Sequence, residues 1–140
     1  MTTIAWDGKK LAGDRKTVDI CMYAGTKVFK VGKGKETYLV GASGNSSDCD
    51  AFVGFAERGF KDRPKFTDFT GIRIAKDGTV TRYDEMPNES VFKPKLYAIG
   101  SGGKYALGAM AMGASAADAV KIASEMDPYT GLGVDVVSFS

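Results

Sequence analysis

Thr2 is the residue whose chemistry matters first, because it directly follows Met1. Once Met1 is removed, Thr2 carries a hydroxyl and a free α-amine on adjacent carbons. Such an amine has an ordinary pKa of about 7.7–8.0, so near neutral pH a useful fraction can accept the hydroxyl's proton. A threonine with its own amine is therefore a self-contained nucleophile and base. With Met1 in place the same nitrogen is an amide and cannot act as a base. A Met-Thr start is common, so the case depends on what else points back to Thr2. Asp14 follows Ala12-Gly13, and Lys27 lies in an alternating strand-like run. Taken alone, Asp14 reads as a turn residue or cap, and Lys27 as a solvent-facing side chain. Buried together they would satisfy each other, since an unpaired buried charge is costly. A lysine cation beside the hydroxyl would also lower the cost of forming an alkoxide.

Composition removes several alternatives. The chain has no His, which excludes a Ser-His-Asp triad, a Cys-His dyad and any His-ligated metal within it. Cys21 and Cys49 form no CxxC; a disulfide stays open, but isolated cysteines fit free thiols better. The net charge of +2 is too small to argue for nucleic acid. No signal pattern opens the chain and no apolar run approaches a membrane span, so a cytoplasmic protein is expected. Gly100-Ser101-Gly102-Gly103-Lys104 suggests a phosphate loop, but Ala98 stands where the first glycine belongs and Tyr105 follows the lysine. A tight strand-to-helix turn is the plainer reading. Gly32-Lys33-Gly34-Lys35 reads as a solvated turn.

The elements that must position these groups follow from periodicity. The 140 residues suit one domain, 1–140, of α+β class. Thr3–Trp6 and Lys9–Ala12 flank Asp7-Gly8 as a hairpin. Val18–Tyr23, Lys27–Val31 and Thr37–Ala42 read as strands, the last covered on both faces. A helix is expected from Ser46-Ser47, capped by Ser47-x-x-Asp50, with Phe52, Phe55, Ala56 and Phe60 on one face. Phe66 and Phe69 anchor the following loop. Ile72–Ile74 and Val80–Tyr83 form a second hairpin, 84–94 a loop, and Leu96–Ile99 a buried strand. Two helices follow the glycine turn, the second capped by Ser115-x-x-Asp118, and Val134–Val137 is the last strand. Two face-to-face sheets with helices outside satisfy this order.

Several segments, in order, match one family: Thr2-Thr3-Ile4, Leu11-Ala12-Gly13-Asp14, Lys27-Val28, Val40-Gly41, Ala98-Ile99-Gly100-Ser101-Gly102-Gly103-x-Tyr105-Ala106 and Asp127-x-Tyr129-Thr130-Gly131. Across almost its whole length the chain resembles the proteasome β-subunit superfamily, especially the HslV peptidase. The resemblance implies an N-terminal-nucleophile hydrolase fold, a four-layer αββα sandwich of two antiparallel sheets. By the same resemblance Thr2 is the nucleophile, Asp14 and Lys27 are the buried pair that tunes it, and Ser101 bonds near the α-amine. Gly41 is the oxyanion donor, and Asp127 and Thr130 support the amine.

The implied activity is threonine-type peptide or amide hydrolysis in a self-compartmentalised homo-oligomer. Peptides or unfolded proteins would be substrates, with an ATP-dependent unfoldase as partner. The chemistry needs no cofactor or metal; a structural cation near the Asp127 loop stays open, with no residue pattern in its support. The chain departs from the family in a shorter opening hairpin and in a short charged loop, 61–69, where a second long helix would stand. The outer helical layer is therefore expected to be reduced. The alternative is a Met1-retaining, inactive protein of this shape that acts as an assembly or binding component.

Overall fold

The computed structural model describes residues 1–18 and 20–140. Its first half runs β1 (Ile4–Trp6), β2 (Lys10–Asp14), β3 (Lys16–Val18), β4 (Met22–Ala24), β5 (Val28–Val31), β6 (Tyr38–Gly44) and α1 (Ser46–Glu57). The second runs β7 (Phe69–Ile74), β8 (Val80–Asp84), β9 (Ser90–Phe92), β10 (Tyr97–Ile99), α2 (Gly103–Ala111), α3 (Ala116–Met126) and β11 (Val134–Ser138). One antiparallel sheet has the order β10-β1-β2-β11 and the other β5-β6-β7-β8-β9.

Strand alternation sorts the side chains into three cores. Ile4, Trp6 and Leu11 point inward against Val28, Leu39, Ile72, Ile74 and Val80, which closes the space between the sheets. Ala5 and Ala12, on the opposite face of the same hairpin, meet Ala106, Ala119, Val120 and Ala123 of α2 and α3. These small side chains let the two helices lie close to the sheet. On the far side, Val40, Ala42, Phe69 and Tyr83 receive Phe52, Phe55 and Ala56 of α1. The layers are thus α, β, β, α, with two helices outside one sheet and one outside the other. This is the expected sandwich with its reduced outer layer. Glycines set the sheet spacing near the start of the chain: a Cβ on Gly13 would lie 2.9 Å from Val28, and one on Gly41 3.0 Å from Ile4.

Several local expectations change. The run 18–23 is not one strand. It is β-prone but finds no neighbouring sheet edge, so β3 and β4 pair with each other through Lys16↔Ala24, Thr17↔Tyr23 and Val18↔Met22; Asp19, within that run, lies outside the described residues. The expected loop 84–94 contains β9, which pairs with β8 at the sheet edge. The α1 cap is Asn45, not Ser47: its side chain accepts the Asp48 N–H at 2.7 Å. Asp48 then accepts the N–H groups of Thr67 and Asp68, both at 2.9 Å, and ties down the loop after the helix. Phe60 lies beyond the helix end at φ 63°. The Ser115 cap is as expected, accepting the Asp118 N–H.

Candidate active site

The geometry at Thr2 is made by a bend, a strand end and a crossing lysine. Thr2 and Thr3 enter β1, and the Gly100–Gly103 turn wraps around them. The Gly102 N–H donates to the Thr2 carbonyl at 3.1 Å. The bend needs glycine: a Cβ on Gly100, at φ +95°, would stand 2.1 Å from the Thr2 carbonyl oxygen, and one on Gly102 1.9 Å from Thr3 Oγ1. Beside β1, the hairpin partner ends in Asp14, which is fully buried. Asp14 accepts N–H groups from Thr3 at 3.0 Å, Lys16 at 3.2 Å and Gly131 at 3.1 Å.

Lys27 reaches this point from the other sheet, one residue before β5. Its Nζ donates to Asp14 Oδ1 at 3.0 Å, to Thr2 Oγ1 at 3.2 Å and to the Lys16 carbonyl at 2.6 Å. Its side chain is only 11% exposed, which corrects the solvent-facing reading of the residue taken alone. Burial pulls the Lys27 ammonium below its ordinary pKa, and the Asp14 charge opposes that fall.

A second network supports the nitrogen of Thr2. Its N–H donates to Ser101 Oγ at 3.1 Å, and Ser101 Oγ donates to Asp127 Oδ2 at 2.6 Å. Thr130 Oγ1 donates to the same carboxylate oxygen at 2.7 Å and lies 2.7 Å from Thr3 Oγ1. Burial would raise the Asp127 pKa, but hydrogen bonds from Ser101, Thr130 and the Tyr129 N–H hold it below the usual carboxylate value. Among the described residues, no group of three or more His, Cys, Asp or Glu is placed to hold a metal ion.

Met1 lies over the site. Thr2 Oγ1 donates to the Met1 carbonyl at 2.6 Å, and that oxygen is 3.3 Å from Lys27 Nζ. The residue is nonetheless 65% exposed and so accessible for removal. Met1, Thr2, Lys27 and Gly44 line one cavity of about 500 Å³ between the β3–β4 hairpin and α1.

The structure brings Thr2, Asp14, Lys27, Ser101, Asp127 and Thr130 into one connected network, but not Gly41. Gly41 sits inside β6, paired with Val28 and Ile72, and its open face serves the approach of Ile4. Backbone alternation turns a different glycine N–H toward the cavity. The Ala42 N–H goes to Lys27 O on the β5 side and the Asn45 N–H to Asp68 O on the β7 side. The Gly44 N–H therefore points to the β5 side, where that strand has ended and the cavity begins. A Cβ on Gly44 would strike the Asp68 carbonyl at 2.2 Å, at φ +138°, so glycine is required there. The available signal was a glycine directly before a helix cap, Gly44-Asn45.

No protein-family model matches the chain, and no curated protein matches it. Solved structures do. "BPH" of Thiobacillus denitrificans, in complex with epoxomicin, is 18% identical with a TM-score of 0.67, covering 99% of this chain and 98% of that one. HslV from Trypanosoma brucei is 17% identical with a TM-score of 0.67 and covers 97% of each. The Anbu complex of Pseudomonas aeruginosa, solved as a helical assembly, is 12% identical with a TM-score of 0.70, covering 99% of this chain and 81% of that one. Likeness at these identities is likeness of fold, and it spans the whole chain. The architecture that gathers Thr2, Lys27 and Asp14 is the compact proteasome β-subunit and HslV type of N-terminal-nucleophile hydrolase fold.

Proposed function

We propose that the chain is a threonine-type peptidase or amide hydrolase that uses Thr2 after removal of Met1. The observation that carries this is the position of Lys27 Nζ, 3.2 Å from Thr2 Oγ1 and 3.0 Å from buried Asp14. Thr2 Oγ1 attacks a peptide carbonyl while the freed α-amine takes its proton. Lys27, held charged by Asp14, stabilises the alkoxide as it forms. The Gly44 N–H donates to the oxyanion that develops on the carbonyl oxygen. Collapse of the intermediate passes the proton to the leaving amine and leaves an acyl ester on Thr2. Water, deprotonated by the same amine, then releases the acid. Ser101, backed by Asp127 and Thr130, holds the amine in place.

Substrates in this reading are peptides or unfolded chains in the cytoplasm. The helical assembly of the Anbu neighbour supports a homo-oligomer; restricted access to the sites and an ATP-dependent unfoldase as feeder belong to the proposal itself. The fold neighbour bound to epoxomicin supports a threonine nucleophile.

The test is hydrolysis of fluorogenic peptides by the processed chain. Thr2→Ala is expected to lower turnover at least about 10³-fold without unfolding the protein. A Thr2→Ala chain that still cleaves at the wild-type rate would remove Thr2 as nucleophile. The pH profile is a second check. The neutral Thr2 amine is the base, so kcat/KM should rise with pH through that amine's pKa, ordinarily about 7.7–8.0, and then level. It should fall again as Lys27 loses its proton, below the ordinary lysine value of 10.5. A rate that is flat from pH 5 to 9 would contradict the amine as base.

The alternative is an inactive binding or assembly component that keeps Met1, in which the Thr2 nitrogen is an amide held by Ser101 and Thr2 Oγ1 is engaged by the Met1 carbonyl. Intact mass of the purified protein separates the two readings, because only loss of one Met residue frees the base.

A further inference from the structure

The strand end that carries the Gly44 N–H is held from one side. β5 runs beside β6 as far as Gly41, opposite Val28, and the Ala42 N–H still bonds to that side, at the Lys27 carbonyl. Past Ala42 the paired neighbour is β7, where Ser43 faces Thr70 and Gly44 faces Phe69, the first residue of β7. Gly44 thus stands at the last rung. As a glycine at φ +138° it also has the freest backbone of any residue type. An oxyanion donor works only if it is already aimed where the charge develops, so Gly44 has to be fixed from beyond the ladder.

Asp48 sits there, in the first turn of α1, with 7% of its surface exposed. Its Oδ2 accepts the Thr67 and Asp68 N–H groups, both at 2.9 Å, the Asn45 side-chain amide at 3.1 Å and the Thr67 hydroxyl at 3.3 Å. Asn45 accepts the Asp48 N–H in return, and its own N–H donates to the Asp68 carbonyl at 3.0 Å. The residues so joined flank the last rung: Asn45 follows Gly44, and Asp68 precedes Phe69. One carboxylate oxygen therefore closes a ring around Gly44, and hydrogen bonds to an ionised acceptor are about twice as strong as neutral ones. The helix cap does not call for this carboxylate, because it uses only the Asp48 N–H. Asp48 lines neither the cavity beside Thr2 nor the smaller one on the other side of Gly44, so its reach to a substrate runs through Gly44. We infer that Asp48 is a positioning residue that aims the Gly44 N–H at the developing oxyanion, an inference that rests on the hydrolase reading above.

The test compares the processed chain with its Asp48→Ala and Asp48→Asn variants, and with Ser115→Ala, which loses a helix cap outside the other sheet. Asp48→Ala should lower kcat about 30-fold with KM within about twofold, because a misaimed donor is missed in the transition state and not in substrate binding. Affinity for a peptide aldehyde, which adds to Thr2 Oγ1 and turns its oxygen toward the donor, should fall by about the same factor. Affinity for the matching alcohol, which cannot add, should stay within about twofold. Asp48→Asn offers a neutral carbonyl oxygen to the same donors. It should lose about threefold in kcat, and it carries the test if Asp48→Ala does not fold. Ser115→Ala should lose stability and keep the wild-type kcat. Hydrogen exchange resolved at Asn45 reads the clamp without turnover, and that N–H should exchange at least about tenfold faster in Asp48→Ala. Faster exchange in a chain that neither cuts peptides nor takes up the aldehyde supports Asp48 as the group that holds Gly44 and fails only the hydrolase reading. Unchanged exchange at Asn45 overturns the inference. So does hydrolysis in which both Asp48 variants keep the wild-type kcat and aldehyde affinity, a result that leaves the hydrolase reading standing.

Discussion

Lys27→Ala is expected to slow peptide hydrolysis about 10³-fold and to lower stability by about 3 kcal/mol. The two effects share a cause but act on different partners. Toward Thr2, the ammonium 3.2 Å from Oγ1 is the charge that an alkoxide needs, and a preorganised donor in a water-poor site is worth about 10²–10³ in rate. Toward the fold, Asp14 is fully buried, and removing its cation leaves a carboxylate without a counter-charge. The Thr3, Lys16 and Gly131 N–H groups still bind Asp14, which keeps the loss near the lower end for broken buried pairs. Single-turnover kinetics and urea unfolding at pH 7 measure the two losses separately. A variant within threefold of wild type in both would show that the ammonium does not hold the site.

Gly100→Ala should be the most damaging small substitution outside the charged groups. Its Cβ would fall 2.1 Å from the Thr2 carbonyl oxygen and 2.6 Å from the carbonyl carbon, both backbone atoms that cannot rotate away. The residue is also at φ +95°, which an alanine adopts only with strain. The chain must move either Thr2 or the bend, and a shift of about 1 Å at a reacting group can cost about 10²-fold in rate. The expected result is a loss of at least about 2 kcal/mol in stability and about 10²-fold or more in kcat/KM. Gly108→Ala is the matched control, since its Cβ would meet nothing within 4 Å. Equal behaviour of the two variants would mean that the bend does not press on Thr2.

The fold was readable where side-chain period does the work. The opening hairpin, the α1 stripe of Phe52, Phe55 and Ala56, and the small-residue stripe of α3 all follow from alternation or helical spacing. The site was readable in a different way. Residue types alone put Lys27 in solvent; only the resemblance joined it to Asp14 and Thr2, because the contact depends on two sheets meeting at one end. Asn45 and Ser47 are both cap-forming residue types, so sequence does not separate them; in the structure Asn45 accepts the Asp48 N–H, and Asp48 in turn holds the Thr67 and Asp68 N–H groups. Gly41 and Gly44 show the limit most clearly. Both are strand glycines, yet one makes room for Ile4 and the other turns its N–H to the cavity. Which does which depends on where β5 stops, and no pattern within β6 records that.

The most direct measurement is intact mass before and after incubation with epoxomicin, followed by peptide mapping. An epoxyketone carries two electrophilic carbons, so stable capture calls for a hydroxyl and a free amine on one residue. The expected result is a chain lacking one Met that gains a single adduct on Thr2, with no adduct on Thr2→Ala protein. A processed chain that stays unlabelled under conditions that label an active threonine peptidase would contradict it.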